Sequence, residues 1–577
     1  MAEENTNTET IGSQVIRRQG ELETIRDPFI DLYKECTALG YPARNDWEDT
    51  AQTGRNKEFE IYDDTCMKAL NIREDGLYGY HVSPAIKWFR SRMADREMDE
   101  VDEVRQWLQE ADEGMYYAYS RSNFYDASCI GSFLRDGDGI GTATIFPEEI
   151  IGKGEIGFMI PHPREIYLAD DKYGKACLMH RKYKWTTLQI KGALDSKEIA
   201  KLSIGLQEEI RQNKQITTKW EFIWTIWPNP DYITGSMVQG KRKYNTYLVQ
   251  VDGQHLIRES SLDRFPPVYR VKKSPNLPYG RGLIGEALIS TYRANQMTST
   301  MLSAAQLGAE GIWMIPESKR MDADLAPGGR NYYRNESDEV RQVRTYINYP
   351  FGAEERREFR QAVMDNFQID YFLALSQAAQ ENSNLRELHV VEIKGEKAAL
   401  MGAGLGTLNT VLDEINDFVF DIELSAGRIP PPPQILLDRI MEDQQAGGGG
   451  KAGGIDIDYI GPLAQAQKRL FKTEGINHSI EAVRPLVELQ VAANQPVTAL
   501  DRLNVNETVE EIFDANGMPQ KLMHSDTEVE AIQQGRLEAQ QAEREAQMAL
   551  EAAKAAPGLG KKTEEGSPLE AIAGAVG

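Results

Sequence analysis

The chain has 577 residues, a length that favours several domains or one large, multi-lobed subunit. Hydrophobic residues make up 41% and aromatic residues 8%, which supports a substantial core and excludes a disordered chain. The formal net charge of −24 argues against a protein that grips nucleic acid over its whole surface, because neutralising phosphates needs clustered lysine and arginine.

The start of the chain, MAEENTNTET, has neither the basic nor the apolar region of a secretory signal. No uncharged apolar run approaches the ~20 residues of a membrane span. The four cysteines lie far apart without a CxxC pair, so we expect no disulfide framework, no zinc site and a reduced, intracellular place of assembly.

The N-terminal part is predicted to be a flexible polar arm over residues 1–20, followed by helices over residues 21–127. In EVDEVRQWLQEADEGMYYAYSRSNFY, the apolar residues Val101, Val104, Trp107 and Leu108 recur at helical spacing above a charged face. Residues 128–279 change character. The β-branched and aromatic runs TATIF, EIGFMI, TKWEFIWTIW and NTYLVQV alternate with the turn signals DGDG, PHP, PNPD and VDGQ, which predicts a β-rich region.

A long helix is predicted within residues 280–308, at about 285–307, directly after PYGRG. It has no proline and almost no charge, and its neutral polar residues, such as Asn295 and Thr298, are interleaved with apolar ones, such as Met301. Such a helix can pack against protein on two sides and expose a neutral polar strip to water. A strip of this kind neither binds nor repels phosphate, which suits the wall of a channel. An ordinary buried helix is the alternative.

A second long helix is predicted over residues 353–375, with an apolar ridge at every fourth position: Phe359, Val363, Phe367, Tyr371 and Leu375. Between the two helices lies an insertion, residues 309–352, with the strand-like runs NYY and VRTYINY. Its length of about forty residues is typical of a small lobe.

The rest of the chain is predicted to hold a polar stretch (376–392) and a long helix within residues 393–440, stopped by Gly427 and four prolines. A glycine-rich linker (441–454) leads to a strand and a helix in IDIDYIGPLAQAQK, within residues 455–524. An Ala-, Glu- and Gln-rich helix (525–556), alone or in a bundle, precedes a disordered tail (557–577). The overall prediction is a mostly helical α+β fold.

No motif in the sequence carries catalytic chemistry. GGGGKAGG follows a helix, and Lys451 is followed by Ala452, so it is not a phosphate loop. RDGDGIG resembles the start of a calcium loop, but Ile140 and Pro147 stand where oxygen ligands are needed, and a hairpin turn is the prediction.

The histidines form no HExxH pair, and no GxSxG or marked carboxylate pair is found. His162 is interpreted as a turn residue between two prolines, and His389 as a structural residue in a strand-like segment. We therefore predict no catalytic residue, no metal, no cofactor and no enzymatic activity.

Several motifs occur in one order along nearly the whole chain. They are FEIYDDTCMKALN, SPAIKWFRSRM, VRQWLQEADEGMYYAYSRSNFY, GTATIF, IPHPREIYLADDKYGKACLMHRKYKWT, WPNPDY, DGQHLIRESSLDRFPPVYR, PYGRG and DIDYIGPLAQAQK. Each is weak alone, but in this order the chain resembles the portal proteins, the head-to-tail connectors of short-tailed bacteriophages. It departs from that family at LRELHVVEI, where a threonine-rich segment is usual.

The resemblance implies a ring of twelve copies at one capsid vertex, with a wing, a stem, a clip and a crown. Residues 21–127 and 128–279 would form the wing, 280–308 and 353–375 the stem, 309–352 the clip and 376–392 a tunnel loop facing DNA. Residues 393–440 would be a long wing and crown helix, 455–524 the crown, and 525–556 a C-terminal helix suited to a barrel.

The resemblance also implies roles for particular residues. Asn382, Asn384 and Arg386 would face DNA in the tunnel loop. The clip cations would form ion pairs between subunits or dock partners, in preference to binding DNA; they are Lys319, Arg320, Arg330, Arg334, Arg341 and Arg344. Tyr279, Gly280, Arg281 and Gly282 would be the family motif before the stem.

The implied function is a channel for genome packaging and ejection, with double-stranded DNA repelled by an acidic tunnel so that it slides. The implied partners are the terminase large subunit, a tail adaptor or gatekeeper, the major capsid and scaffolding proteins and internal core proteins, with no membrane. Assembly would occur in the host cytoplasm and the product would be in the virion.

Two alternatives remain at this point. A hydrolase or nuclease of the packaging or tail machinery would need a phosphate loop or an acidic metal cluster, and neither is found in the sequence. A monomeric scaffold or adaptor would form no closed ring.

Overall fold

The computed structural model describes residues 10–47, 61–99, 101–150, 152–212, 218–233, 238, 240–310, 312–325, 329–343, 349–370, 372, 387–445, 454–461, 474–492, 503–504, 507–509, 512 and 526–554. The chain divides into two compact units, residues 1–511 and residues 512–577. All elements but one belong to the first unit.

The N-terminal part is mainly helical, as predicted. Its elements are α1 (Ile11–Gly40), α2 (Thr65–Tyr80), β1 (Phe89–Met93), α3 (Arg96–Asp99) and α4 (Asp102–Arg121). Two predictions are corrected here. The helix α1 begins at Ile11 and not beyond residue 20, because the Thr10 hydroxyl caps it by accepting a hydrogen bond from the Ser13 amide. Within SPAIKWFRSRM, FRSRM is a strand, paired antiparallel with residues 455–459.

The predicted hairpin turn at RDGDGIG is wrong. Residues 127–140 form consecutive helical turns. A short helix α5 (Ser132–Arg135) lies between two π-helical turns, Ala127–Gly131 and Asp136–Ile140, which are called the wide turns below. All five residues of the second wide turn are buried. A hairpin tip would expose Asp136 and Asp138 to water, whereas here both carboxylates are buried, Asp136 against half-buried Arg44 and Asp138 against buried Arg73.

Residues 142–270 are rich in strands, as predicted for this region. The strands are β2 (Thr142–Thr144), β3 (Phe146–Ile150), β4 (Glu155–Met159), β5 (Ile166–Asp170), β6 (Ala176–Thr186), β7 (Lys219–Pro228), β8 (Tyr244–Gln250), β9 (His255–Leu262) and β10 (Val268–Arg270). The four predicted runs fall in β2 to β4, β7 and β8, whereas β5, β6, β9 and β10 were not predicted individually. Strands β5 to β9 form one antiparallel sheet in sequence order, while β3 pairs with β4 and β2 with β10. Three unpredicted helices lie between β6 and β7: α6 (Thr187–Ala193), α7 (Ser196–Ile199) and α8 (Ile204–Gln212).

Buried His180 joins α1 to this sheet. Its Nε2 accepts a hydrogen bond from the Trp227 indole (2.9 Å), and its Nδ1 donates to the Gln19 side-chain oxygen (3.1 Å). Burial, with Arg18 nearby, lowers the pKa of His180 to about 3, so the ring is neutral and both nitrogens are satisfied.

The two predicted long helices are present, with an insertion between them. The elements are α9 (Leu283–Glu310), β11 (Ile312–Met314), β12 (Arg341–Val343) and α10 (Tyr349–Asn366). With 28 residues, α9 is about 42 Å long. In the insertion β11 pairs with β12, whereas NYY is not a strand. Val343, the first residue of VRTYINY, ends β12, and residues 344–348 lie outside the described residues.

The second helix begins at Tyr349 and not at residue 353, and it ends at Asn366; after a turn at residues 367–368 the chain is helical again at Ile369, Asp370 and Phe372. Gln368 has a φ of +55°, a left-handed conformation that an α-helix does not continue through. Val363 and Phe367 of the predicted ridge are buried, while Tyr371 and Leu375 lie outside the described residues.

The remaining elements of the first unit are α11 (Glu387–Ser425), α12 (Gln434–Gln445), β13 (Ile455–Tyr459) and α13 (Glu474–Ala492). Because α11 begins at Glu387, residues 387–392 are helical and not loop, and His389 is not in a strand. The helix ends as predicted, before Gly427 with its φ of +69°. The predicted linker 441–454 is wrong at its start, because α12 continues through residues 441–445. Residues 446–453, the predicted helix after Pro462 and the tail lie outside the described residues.

The second unit contains α14 (Asp526–Lys554), which confirms the predicted C-terminal helix. In the first unit, one core packs Trp88, Phe124 and Tyr119 against the α11 residues Leu412 and Ile415. Each fully buried large side chain of this kind contributes about 1.5–3 kcal/mol. A second core joins α1, α2, the start of α9 and the end of α10, and this is where the candidate site lies.

Candidate functional site

The helices α9 and α10 pack against each other along their length. Gly352 at the start of α10 leaves room for the side chains of Met297 and Met301. Further along, the Arg293 guanidinium lies 5.8 Å from the centre of the Phe359 ring. The two helices therefore form a hairpin whose free end carries the insertion and whose base enters the body of the protein.

The base of the hairpin rests on two glycine-rich backbone segments that touch directly. The amide of Gly282 donates to the carbonyl of Ile140 (3.1 Å), and the amide of Val271 donates to the carbonyl of Gly141 (3.0 Å). A Cβ on Gly282 would overlap the carbonyl oxygen of Gly139, and a Cβ on Gly141 would lie 2.6 Å from the Gly280 oxygen. Gly141 also has a φ of +116°. Only glycine allows this approach, which explains both DGDGIG and PYGRG.

The other residues of PYGRG tie the same junction to the body. The Tyr279 hydroxyl accepts a hydrogen bond from the Leu168 amide (3.1 Å). The Gly280 amide donates to Thr142 Oγ1 (3.0 Å), and its carbonyl accepts from the Tyr33 hydroxyl (2.9 Å). Arg281 donates to the Gly285 carbonyl (2.9 Å) and so braces the first turn of α9.

Buried ion pairs hold the wide turn Asp136–Ile140 in place. Arg44 donates twice to Asp136, at 2.6 Å and 3.0 Å. Asp138 accepts from Arg73 and, at 2.6 Å, from the Tyr269 hydroxyl. Burial raises the pKa of Asp136 to about 6, although Arg44 pulls it down. Because unpaired buried charges are costly, removing either arginine would release the turn.

Arg73 also reaches the end of the hairpin. Its Nη1 donates to the carbonyl of Phe367 (3.1 Å), next to the left-handed Gln368. One buried guanidinium therefore connects α2, the Asp138 turn and the point where α10 stops.

A group of hydrogen bonds around Asp63 holds the two helices together partway along the hairpin. Asp63 accepts hydrogen bonds from Thr298 of α9 (3.0 Å) and from Arg360 of α10 (2.8 Å). Asn295 accepts from the Asp63 amide (3.1 Å). Burial would raise the pKa of Asp63, but the hydrogen bonds from Thr65 and Arg360 outweigh it and the pKa lies below its usual value. The neutral polar residues of α9 thus serve partly as anchors.

The insertion exposes an unusual amount of apolar surface. Seven large apolar side chains in it are at least 36% exposed, and Met321 is 94% exposed; the seven are Trp313, Met314, Ile315, Met321, Leu325, Tyr332 and Tyr333. Residues 312–343 carry five Lys or Arg and six Asp or Glu, so the segment is nearly neutral. An exposed apolar surface of this kind is typical of a protein-binding site.

A cleft of about 1490 Å³ lies beside the hairpin base. Its wall includes Leu283 at the start of α9, Gln368 after α10, Arg73, and the α11 residues Thr407 and Thr410. Burial raises the pKa of Glu414, which lines the cleft, to about 7, with Asp417 and Asp413 adding to the effect. The cleft exceeds the ~300–1,000 Å³ of small-molecule sites.

Within the described part of the chain, no group of three or more His, Cys, Asp or Glu side chains is placed to hold a metal ion. None of the helices described is long and apolar enough to cross a membrane.

A model of the family described as bacteriophage head to tail connecting protein matches residues 13–523. The chain belongs to this family. It is also similar to the portal protein of Salmonella phage epsilon15, with 24% identity over 593 aligned residues that cover 99% of both chains. The probable portal protein of Bordetella phage BPP-1 is 22% identical over 563 residues, covering 95% of both chains.

Membership of the connector family confirms the resemblance found in the sequence. The protein is a structural component of the phage virion and not an enzyme, so the packaging hydrolase or nuclease is no longer a candidate. The hairpin base described above is accordingly a structural site of a connector and not a catalytic centre.

The structure brings together only some of the predicted site residues. Tyr279, Gly280, Arg281 and Gly282 lie together at the hairpin base. The insertion holds half-buried Lys319 and four exposed arginines, and one of these, Arg341, pairs with Glu339 at 2.6 Å; the four are Arg320, Arg330, Arg334 and Arg341. Arg344, Asn382, Asn384 and Arg386 lie outside the described residues.

Sequence reasoning missed the buried arginines and Asp63. RDGDGIG was noticed, but as a rejected calcium loop and not as the partner of PYGRG. The signal in the sequence for this junction was a pair of short glycine clusters, each adjoining a helix. The clusters lie more than 130 positions apart, and their contact could not be deduced from either one alone.

Proposed function

We propose that the protein assembles into a ring of twelve copies at one capsid vertex. The ring forms the channel through which the genome is packaged and ejected, and it joins head to tail. In this proposal α9 and α10 are the stem, residues 309–352 the clip, and residues 376–386 a tunnel loop. Residues 21–279 form the wing and α11 continues from wing into crown.

The observation that carries this proposal is the helical hairpin. Its base is fixed by glycine contacts and buried ion pairs, and its free end presents an apolar insertion. A rigid hairpin of about 42 Å that projects a binding surface suits a stem and clip.

The outer face of α9 supports packing between copies. Ile289 is 66% exposed, and Tyr292 and Leu302 are also exposed, although the helix has almost no charge. In a ring, neighbouring stems would cover these side chains, while the neutral polar residues between them would line a channel that does not bind phosphate.

The insertion supports protein partners in preference to DNA. Its six cations are matched by seven anions, so it lacks the positive excess that phosphate binding requires. We propose that the terminase large subunit docks here during packaging and the tail adaptor afterwards. Asn382, Asn384 and Arg386 remain our candidates for facing DNA, and Arg344 for clip pairing.

We further propose that the wing contacts the major capsid and scaffolding proteins. Residues 455–524 would form the crown, and α14 would join a helical barrel near internal core proteins. Assembly would take place in the host cytoplasm.

Electron microscopy of the purified full-length chain tests the proposal. Class averages viewed down the axis should show closed rings with a hole wide enough for duplex DNA, and twelvefold symmetry in rings taken from virions. A protein that stays monomeric even when capsid and scaffolding proteins are supplied would overturn the ring and favour a monomeric adaptor.

A further inference from the structure

The wall of the cleft beside the hairpin base includes two lysines that form no ion pair with any described residue. Seven Lys or Arg and four Asp or Glu line the cleft. Five of the seven cations are paired within the chain: Arg73 with Asp138, Arg264 with Asp417 and Asp421, Arg270 and Lys273 with Asp170, and Lys272 with Glu286. Lys175 and Lys243, in contrast, are exposed and form no ion pair with any described residue.

The floor of the cleft is the outer side of α11. Thr407, Thr410 and Glu414 fall on one side of this helix, and no atom lies within 4 Å of a Cβ built on Gly406. These small side chains leave a groove that is open to a protein segment.

The opposite side of α11 packs on α4. Asn416 accepts a hydrogen bond from Tyr119 (2.6 Å), and Phe420 lies edge-on to Trp107. At 3.6 residues per turn, Asn416 points about 120° away from Thr410 and about 160° away from Glu414. The cleft and α4 therefore lie on opposite sides of α11.

The outer face of α4 is acidic. Glu103, Glu110 and Glu113 are exposed along it, with Tyr117 at 63% exposure at the next turn. The buried face of the same helix holds Val104, Trp107 and Leu108. The unit thus carries a cleft with two unpaired lysines on one side of α11 and an acidic ridge on the other.

We propose that the acidic face of α4 of one copy enters the cleft of the next copy. The inference rests on the proposed ring. A contact between two different surfaces repeats head to tail and closes into a ring when the rotation fits. Each cleft is then completed by glutamates of the neighbour, next to Lys175 and Lys243. The contact also covers Arg73 and Gln368, so the copy-to-copy interface lies directly on the hairpin base.

Charge exchange tests the pairing. The variant Lys175→Glu with Lys243→Glu, and separately Glu103→Lys with Glu110→Lys, should fold but need at least about tenfold more protein to form rings, because like charges now face each other. The chain that carries all four substitutions should recover assembly, since every interface is then reversed. Failure of the fourfold variant, when each pair of substitutions folds with normal circular dichroism, would overturn the pairing.

Cysteine chemistry tests the location without weakening the interface charges. In a Cys177→Ala background, Thr410→Cys should react with a biotin maleimide in the unassembled chain and at least about tenfold less in rings. Lys197→Cys, exposed on α7, should react equally in both. Adding Glu110→Cys to Thr410→Cys should give a ladder of disulfide-linked multimers, whereas Glu110→Cys with Lys197→Cys should give none.

Two results would overturn the inference separately from the ring. Equal labelling of Thr410→Cys in rings and free chains would show an open cleft. Protection without a ladder would show another occupant, such as residues 373–386 of the same chain. If the wild-type chain forms no rings, the proposed function fails first.

Discussion

Replacing Gly282 by alanine should destabilise the protein far more than its single methyl group suggests. The new Cβ would overlap the Gly139 carbonyl oxygen and lie 2.5 Å from its carbon, where ordinary contacts begin at 3.4 Å. Relief of the contact with the carbon alone would need a separation of about 0.9 Å, and the nearer oxygen requires more. That shift would stretch the 3.1 Å hydrogen bond from Gly282 to Ile140 beyond about 4 Å and break it.

The expected loss is about 2–4 kcal/mol in the free energy of unfolding. About 1 kcal/mol comes from the hydrogen bond and about 1–3 kcal/mol from overpacking. Urea unfolding of the unassembled chain measures it, since the stability of an assembled ring depends on protein concentration.

Gly406→Ala is the matched control, because the same chemical change occurs in the helix α11 with no atom within 4 Å. It should stabilise the protein by about 0.5–1 kcal/mol, the usual gain from alanine in a helix. If Gly282→Ala unfolds at the wild-type urea concentration while Gly406→Ala behaves as expected, the contact between the two glycine segments is not the constraint described here.

Three further changes probe other parts of the molecule. His180→Gln should be less stable than the wild type at pH 7, and this difference in the free energy of unfolding should shrink by about 2 kcal/mol at pH 5. The wild type loses stability as the pH falls because unfolded His180 gains a proton below pH 6.5 and the folded ring does not. Urea midpoints at both pH values measure the difference, and a difference that stays constant would contradict the prediction. Arg73→Met should cost about 3–5 kcal/mol by leaving Asp138 buried and unpaired, and adding Asp138→Leu should restore part of the loss; a double variant less stable than the single one would refute the pairing. Trp313→Ser with Tyr332→Ser should change unfolding by less than about 0.5 kcal/mol, since both side chains are exposed, yet reduce the fraction of DNA-filled capsids; normal filling would contradict partner docking at the insertion.

Local periodicity predicted most helices and strands, because their apolar residues recur at the spacing each element needs. The α4 stripe and the strands β7 and β8 are examples. Predictions failed where a distant contact decided the conformation. The sequence FRSRM became a strand because residues 455–459 pair with it, and the second hairpin helix stopped at Asn366 because Gln368 turns left-handed.

For the candidate site, PYGRG was predicted as a motif, but its physical role was not. That role depends on a second glycine cluster, on Tyr33 and on Thr142, which lie far away in sequence and meet only in the folded chain. The neutral polar residues of α9 have a similar explanation, since Asn295 and Thr298 bind the 62–63 segment, a contact that no spacing rule within the helix reveals.

Because β1 pairs with β13, this part of the fold can form only after most of the chain has been synthesised. Phe89 is opposite Tyr459, 370 positions later in the chain, and the Tyr459 ring stacks beside Trp88. At about 5–20 residues per second, a ribosome needs roughly 18–74 s between making these two residues. During that interval the edge of β1 is unpaired and its aromatic neighbours lack their cover. The body of the protein therefore closes only late in translation, and nascent chains must be kept from pairing with one another until then.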